Sequence, residues 1–210
     1  MQTRELTVLT QRAATLLGFG IVALFLLVLS LAPRFLKQTH FEAAVPGPTV
    51  GDSIDPATTL AAYNLPPEFA FAANDPTFKQ SKRLPLASLF GDKDTLIINF
   101  WATWCAPCLD ELPSLEQLNR RLRNANVGPR FLTISVDETT APIDQLFKTL
   151  EFRPSFLVLH DPDGDFARQL GTTRFPETYW IDRNGKILHR WIGPQDWLSK
   201  EVVDKLAEPR

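Results

Sequence analysis

The chain is short of several things, and each shortage closes off a function. It has two cysteines in 210 residues, three scattered histidines (His40, His160 and His189) and no methionine after Met1. A zinc site needs four ligands, commonly two CxxC pairs or one pair with two nearby histidines, and this composition does not supply them. The missing methionines exclude an adaptable Met-rich groove. Basic residues are not in excess: 22 Lys and Arg stand against 24 Asp and Glu, so no footprint for nucleic acid exists. Repeats and low-complexity arrays are absent as well. What remains is one ordinary domain with an appendage, or two small domains.

What is there begins with a segment that lacks charge altogether. Residues 13–33, AATLLGFGIVALFLLVLSLAP, lie uncharged between Arg12 and Arg34. As a helix this run spans roughly 30 Å, the thickness of a bilayer's hydrocarbon core. Buried core helices are rarely apolar on every face over that length. A cleavable signal peptide is the stronger rival, with Ser30-Leu31-Ala32 as a small-residue cut site, yet Pro33 would follow the cut. The segment therefore reads as a single retained transmembrane helix after a short 1–12 cytoplasmic stretch, with lipid as its partner. Arg4 and Arg12 balance Arg34 and Lys37 across it, so the positive-inside rule leaves orientation open. Residues 34–65, punctuated by proline, read as a flexible linker with a short helical turn at 57–63. The folded domain is expected over 66–210.

Within that domain, strands and helices alternate. TLIINF (95–100) is an apolar run of β-formers, as in a strand buried on both faces. Leu112, Leu115, Leu118 and Leu122 recur at helical spacing, with Pro113 expected to kink the helix. RFLTISV (130–136) and SFLVLH (155–160) read as strands, and APIDQLFKTL (141–150) as a helix. DPDGDFARQL (161–170) reads as a turn and helix stopped by Gly171. In 177–193, Asn184-Gly185 signals a hairpin with a tight I′ turn. Residues 195–207 close the chain as an amphipathic helix, with Trp197, Val202, Val203 and Leu206 available to pack. The pattern is that of an α/β domain around a mixed sheet.

Both cysteines fall in FWATWCAPCLDELP (100–113), between the first of these strands and its helix. A c-type haem site wants CxxCH, and Leu109 holds the histidine position. A purely structural disulfide closing so short a loop gains only about 2 kcal/mol and explains the spacing poorly. A redox dithiol explains it well. At a helix start, unpaired N–H groups and the positive end of the dipole stabilise a thiolate. This makes Cys105 the nucleophile. Cys108, one turn on and more buried, is placed to resolve a mixed disulfide. Pro107 suits the first helical turn, where its missing N–H is no loss.

FWATWCAPC, an acid three residues after the second cysteine and a proline five after it resemble the thioredoxin superfamily. More narrowly, the chain resembles the membrane-anchored TlpA/ResA/CcmG group of thiol-disulfide oxidoreductases. The likeness covers about residues 66–206, through PEFAF, LPLASLFG, LIINFWATWCAPC, ISVDE, DPDG and FPETYWIDRNGKI in family order. It implies a thioredoxin-like fold whose mixed central sheet is flanked by helices, with an N-terminal β extension and an inserted helix-strand unit at about 139–160. It also implies a cis bond at Phe175-Pro176, in a loop that offers backbone groups to a substrate strand. Glu111 matches the acid that ResA-type members carry beside the dithiol; its bland alternative is a solvated helix carboxylate. Asn99 stands where thioredoxin has a buried aspartate, which leaves proton handling to Glu111. Trp104 is expected to shield the site, and Trp101 to pack in the core. Glu177 departs from the threonine usual after the cis-proline.

The resemblance and the absence of stray thiols together imply a domain outside the cytoplasm, on the periplasmic side of the inner membrane. The Ala106-Pro107 dipeptide lacks the histidine of strong oxidants, and Asp110 and Glu111 add negative charge that disfavours a thiolate. The expected activity is reduction of protein disulfides, apocytochrome c among them, with electrons from a membrane thiol donor. No metal or other cofactor is implied beyond the Cys105-Cys108 pair. The alternatives are a disulfide oxidase or isomerase, and a non-catalytic thioredoxin-fold adaptor.

Overall fold

Thr95 to Trp101 form a strand that is buried at every position. Its side chains alternate between two cores. Leu96, Ile98 and Phe100 enter one, and Ile97 and Trp101 enter the other. Such two-sided burial is what a strand in the middle of a covered sheet requires. A computed structural model describes residues 47–208. The apolar segment 13–33, read as a membrane helix, lies outside the described residues, as do 1–12 and 34–46. Among the described residues no helix is long and apolar enough to cross a membrane.

Seven strands make one sheet: β1 Thr59–Ala62, β2 Arg83–Pro85, β3 Thr95–Trp101, β4 Arg130–Ser135, β5 Leu157–His160, β6 Glu177–Asp182 and β7 Ile187–Ile192. Their spatial order is β2-β1-β5-β4-β3-β6-β7. β3, β4 and β5 run parallel, and every other pairing is antiparallel. The helices are α1 Pro76–Ser81, α2 Ala106–Ala125, α3 Ala141–Thr149, α4 Asp165–Gln169 and α5 Lys200–Ala207, with 3-10 turns at Pro67–Asn74 and Leu86–Leu89. α2 runs unbroken through Pro113 and buries Leu112, Leu115 and Leu118 on the sheet. α3 and β5 form the inserted helix-strand unit, and β1 and β2 the N-terminal β extension. The mixed sheet and flanking helices are those of the thioredoxin-like fold.

Three readings of the sequence need correction. The stretch taken as flexible linker is folded from about residue 51, and the helical turn at 57–63 is strand β1. Leu60 is buried there, and β1 pairs with β2 on one side and β5 on the other. Partners on both sides outweigh the weak local preference of an alanine-containing run. Further upstream, Ile54 donates to Gly185 O (2.8 Å) and Ile187 donates to Asp52 O (2.8 Å), which ties this segment to the start of β7.

The hairpin turn is the second correction. Gly185 has φ 78°, but Asn184 has no positive φ, so the turn is not type I′. Gly185 N–H bonds to Asp182 O and Asp182 N–H to Lys186 O, as in a type I turn followed by a bulge at glycine. Asp182 Oδ1 fixes this geometry by accepting from the N–H groups of Asn184 and Lys186. Third, Val203 does not pack: it is exposed, whereas Trp197, Val202 and Leu206 are buried.

Candidate active site

Strand β3 hands its chain to a turn that ends at Cys105, the N-cap of α2. Cys105 N–H donates to Ala102 O (3.2 Å), and Cys105 O accepts from Cys108 N–H (3.0 Å), so the first helical turn starts at the cysteine itself. Pro107 lies in that turn, where helix N–H groups have no internal acceptor. Cys105 and Cys108 are joined as a disulfide. Cys105 retains 6% exposure and Cys108 none, so of the two residues only the first reaches the surface.

The turn before Cys105 is held from behind by a residue that sequence reasoning did not single out. Asp137 follows β4 and is buried; its carboxylate accepts from Thr103 N–H (3.0 Å), Thr103 Oγ1 (2.6 Å) and Ser135 Oγ (2.7 Å). His160 Nε2 donates to the Asp137 carbonyl (2.7 Å). The ISVDE segment contained the signal, but only as a run carrying the family likeness. Its carboxylate fixes the backbone two residues before the nucleophile candidate.

Glu111 lies one turn past Cys108 on α2 and is 3% exposed, so it is not a solvated helix carboxylate. Its Oε1 accepts from Asn99 Nδ2 (2.7 Å) on β3, and its Oε2 from Gln195 N–H (2.9 Å) in the loop after β7. Burial pushes its pKa up from 4.5 to about 7, and the donors from Gln195 and Asn99 offset that only in part. Asn99 Nδ2 also donates to Thr178 Oγ1 (3.0 Å) on β6, while its own Oδ1 has no protein partner. An open groove of about 280 Å³, lined by Pro107, Asp110, Glu111, Ser114 and Gln195 among others, gives this carboxyl a route to solvent. Gln195 was not legible as a partner, because it donates through its backbone and sits 84 residues from Glu111.

The Phe175-Pro176 bond is cis, as the family likeness implies. Gly193 N–H donates to Pro176 O (3.0 Å), which ties this loop to the end of β7. Trp104 is 66% exposed, and its ring meets Phe175 edge-on at 5.8 Å. Trp101 is fully buried and stacks on Phe147. The structure thus brings the cysteine turn and the cis-proline loop together, with two aromatic rings between them at the rim. Glu177, directly after Pro176, is buried and ion-paired with Arg190 Nε of β7. Arg190 also donates from Nη1 to Pro48 O (3.2 Å). Among the described residues, no group of three or more His, Cys, Asp or Glu side chains converges as a metal site requires.

A cysteine that reaches the surface at a helix start, a buried partner one turn on and a carboxyl with pKa near neutrality can exchange disulfides and move protons. Comparison with known proteins agrees. The Redoxin family profile matches residues 49–206. The chain is 33% identical over 138 residues to a probable thiol:disulfide interchange protein DsbE-2 of Pasteurella multocida, covering 64% of this chain and 68% of that protein. To the thiol-disulfide oxidoreductase ResA of Bacillus thuringiensis it is 28% identical over 110 residues, 52% of this chain and 60% of that one. The matched region thus spans between about half and two thirds of the first such relatives' length. The structure of a Chlorobium tepidum protein described as a thiol:disulfide interchange protein DsbE superposes with TM-score 0.55 at 22% identity, covering 74% of this chain and 96% of that one. The chain belongs to the Redoxin family, and within it to the thiol-disulfide oxidoreductases of the DsbE and ResA type.

Proposed function

We propose that this oxidoreductase is a membrane-anchored reductant of protein disulfides outside the cytoplasm. The observation that carries the direction of electron flow is the buried Glu111 one turn from Cys108. When ionised it disfavours a thiolate nearby, which destabilises the reduced protein and lowers its potential.

In the reduced protein, the Cys105 thiolate attacks a substrate disulfide sulfur. That S–S bond breaks, a Cys105–substrate disulfide forms, and one substrate sulfur leaves as a thiolate that takes a proton. Glu111 then accepts the Cys108 proton, and the Cys108 thiolate attacks Cys105 Sγ. The second substrate sulfur leaves, and the Cys105–Cys108 disulfide seen here forms. Two electrons have passed from protein to substrate. A membrane thiol donor must restore the dithiol by the reverse exchange. Trp104, Phe175 and the backbone at Pro176 hold the substrate strand across the attacking sulfur. Apocytochrome c fits as a substrate, being among the typical targets of the group the chain resembles. The apolar segment 13–33 supplies the anchor.

Equilibration of the protein with glutathione buffers tests this reading. The potential should lie below about −200 mV, reducing relative to disulfide isomerase. A value near −120 mV, the range of strong oxidants, would make it an oxidase instead. A Cys108→Ser variant should trap extracytoplasmic substrates as mixed disulfides on Cys105.

A further inference from the structure

A second concave surface lies away from the cysteines. A cleft of about 560 Å³ opens between the C-terminal half of α2 and the loop entering β5, with the Asn64–Pro67 segment as its third wall. β3 and β5 run in the same direction through β4, so the entrance to β5 and the exit of β3 toward Cys105 lie at opposite ends of the sheet. Among the described lining residues Arg120, Arg123 and Arg153 carry charge, and Glu116 pairs with Arg120 behind the wall. In a chain of net charge −2, the guanidinium groups of Arg120 and Arg153 facing one hollow from separate elements concentrate positive charge there.

The negative end of the α2 dipole accounts for cations in its last turns, but not for Arg153, which lies in the loop before β5. The walls are also fixed before any ligand arrives. Glu116, 7% exposed, accepts from Arg120 Nε with one oxygen and from Ser155 N–H (2.9 Å) with the other. Asn119 Nδ2 donates to Ser155 Oγ (2.9 Å), and Asn64 Oδ1 accepts from Val158 N–H (2.7 Å). Pro66, Pro67 and Pro154 stiffen the rim. Among the described residues Glu116 bonds to the Nε of Arg120, which leaves the terminal nitrogens of that guanidinium to meet an anion. Guanidinium forks match the oxygens of phosphate in pairs, and walls held in advance lower the cost of binding.

We propose that this cleft binds a phosphate-bearing group of about the size of a glycerophosphate. Its volume exceeds a bare phosphate and falls within the ordinary range of small-molecule sites. A soluble phosphoester and the headgroup of an anionic phospholipid share this chemistry. The proposal is independent of the direction of electron flow.

The test uses the full-length protein in uncharged detergent micelles, with ³¹P line broadening as the readout. Glycerol 3-phosphate is titrated in one arm, and phosphatidylglycerol is doped into the micelles in the other. Broadening of the soluble ester identifies a free phosphoester, and broadening of the lipid alone identifies a headgroup; either supports the site. Arg153→Gln changes an exposed residue and should weaken binding at least tenfold, with Arg120→Gln doing the same. Lys186→Gln, in the hairpin turn four strands away, should stay within twofold of wild type. Disulfide exchange should be unchanged in all three variants. No broadening in either arm, or broadening insensitive to both arginine substitutions, overturns the proposal. Equal loss in Lys186→Gln overturns it too, because it reduces the effect to net charge.

Discussion

At the scale of single residues, the site turns on Glu111 and the amide facing it. An aspartate at position 99 would set two carboxylates against each other, whereas Asn99 can offer Glu111 a donor when it is ionised and an acceptor when it is protonated. Two predictions follow from that arrangement. Glu111→Gln should lower the apparent pKa of the Cys105 thiol in the reduced protein and shift the redox potential upward, about 30 mV for each 1.4 kcal/mol of relieved repulsion. Iodoacetamide kinetics against pH and glutathione equilibration measure the two; an unchanged thiol pKa would remove Glu111 from proton handling. The second prediction concerns stability. A carboxyl whose folded-state pKa rises from 4.5 to about 7 favours folding while it is protonated, below pH 4.5, and that contribution is lost as pH climbs through 7. The loss is on the order of 3 kcal/mol by that shift. Urea titrations at pH 4.5 and 8 should show it in wild type and not in Glu111→Gln, after allowance for the other groups. The position of Glu111 was legible from its spacing to Cys108 and from family likeness. Its burial was not, because a carboxylate on a helix is ordinarily solvated and its second partner lies 84 residues away.

At the scale of elements, hydrophobic runs told the story well and connections told it poorly. β3, β4 and α2 are long and periodic, so pattern alone located them. β1 is four residues with a single fully buried side chain, and it becomes a strand through partners 22 or more residues away in sequence, such as Arg83 and His160. Nothing local could announce that. The β6–β7 hairpin was legible as a hairpin, but its turn type depends on Asp182 and on the upstream segment lying over it. A Cβ at Gly185 would come within 1.9 Å of Ile54 O. Gly185→Ala should therefore destabilise the protein by more than the roughly 1 kcal/mol of a left-handed backbone alone. It should also expose residues 47–55 to limited proteolysis; resistance equal to wild type would mean that this segment is held elsewhere. The same two strands carry the buried Glu177–Arg190 pair beside the cis-proline. Arg190→Gln leaves a buried carboxylate without its cation and should cost about 3 kcal/mol. Adding Glu177→Thr, the family's ordinary residue, should recover most of that loss in thermal melts. If the double variant is no better than the single, the ion pair is not what Arg190 contributes.

At the scale of the whole molecule, the sheet separates two chemistries. The cysteine turn, the cis-proline loop and Glu111 gather beyond the carboxyl end of β3, and the arginine cleft lies at the other end of the parallel strands. That separation was not legible from sequence, since Arg120 and Arg153 come from elements whose adjacency only the fold decides. The composition speaks more clearly about where the molecule works. A chain with only two thiols, both in one redox pair, has none to mispair in an oxidising compartment. The flanking charges of 13–33 are balanced, so the orientation proposed for the domain rests on this chemistry. In spheroplasts, protease added outside should degrade the folded domain, and the N-terminus of the intact protein should still read from Met1. Protection of the domain would place it in the cytoplasm, where a lone CxxC would serve a different donor. A mature N-terminus near residue 33 would instead make the segment a signal peptide and release the domain from the membrane.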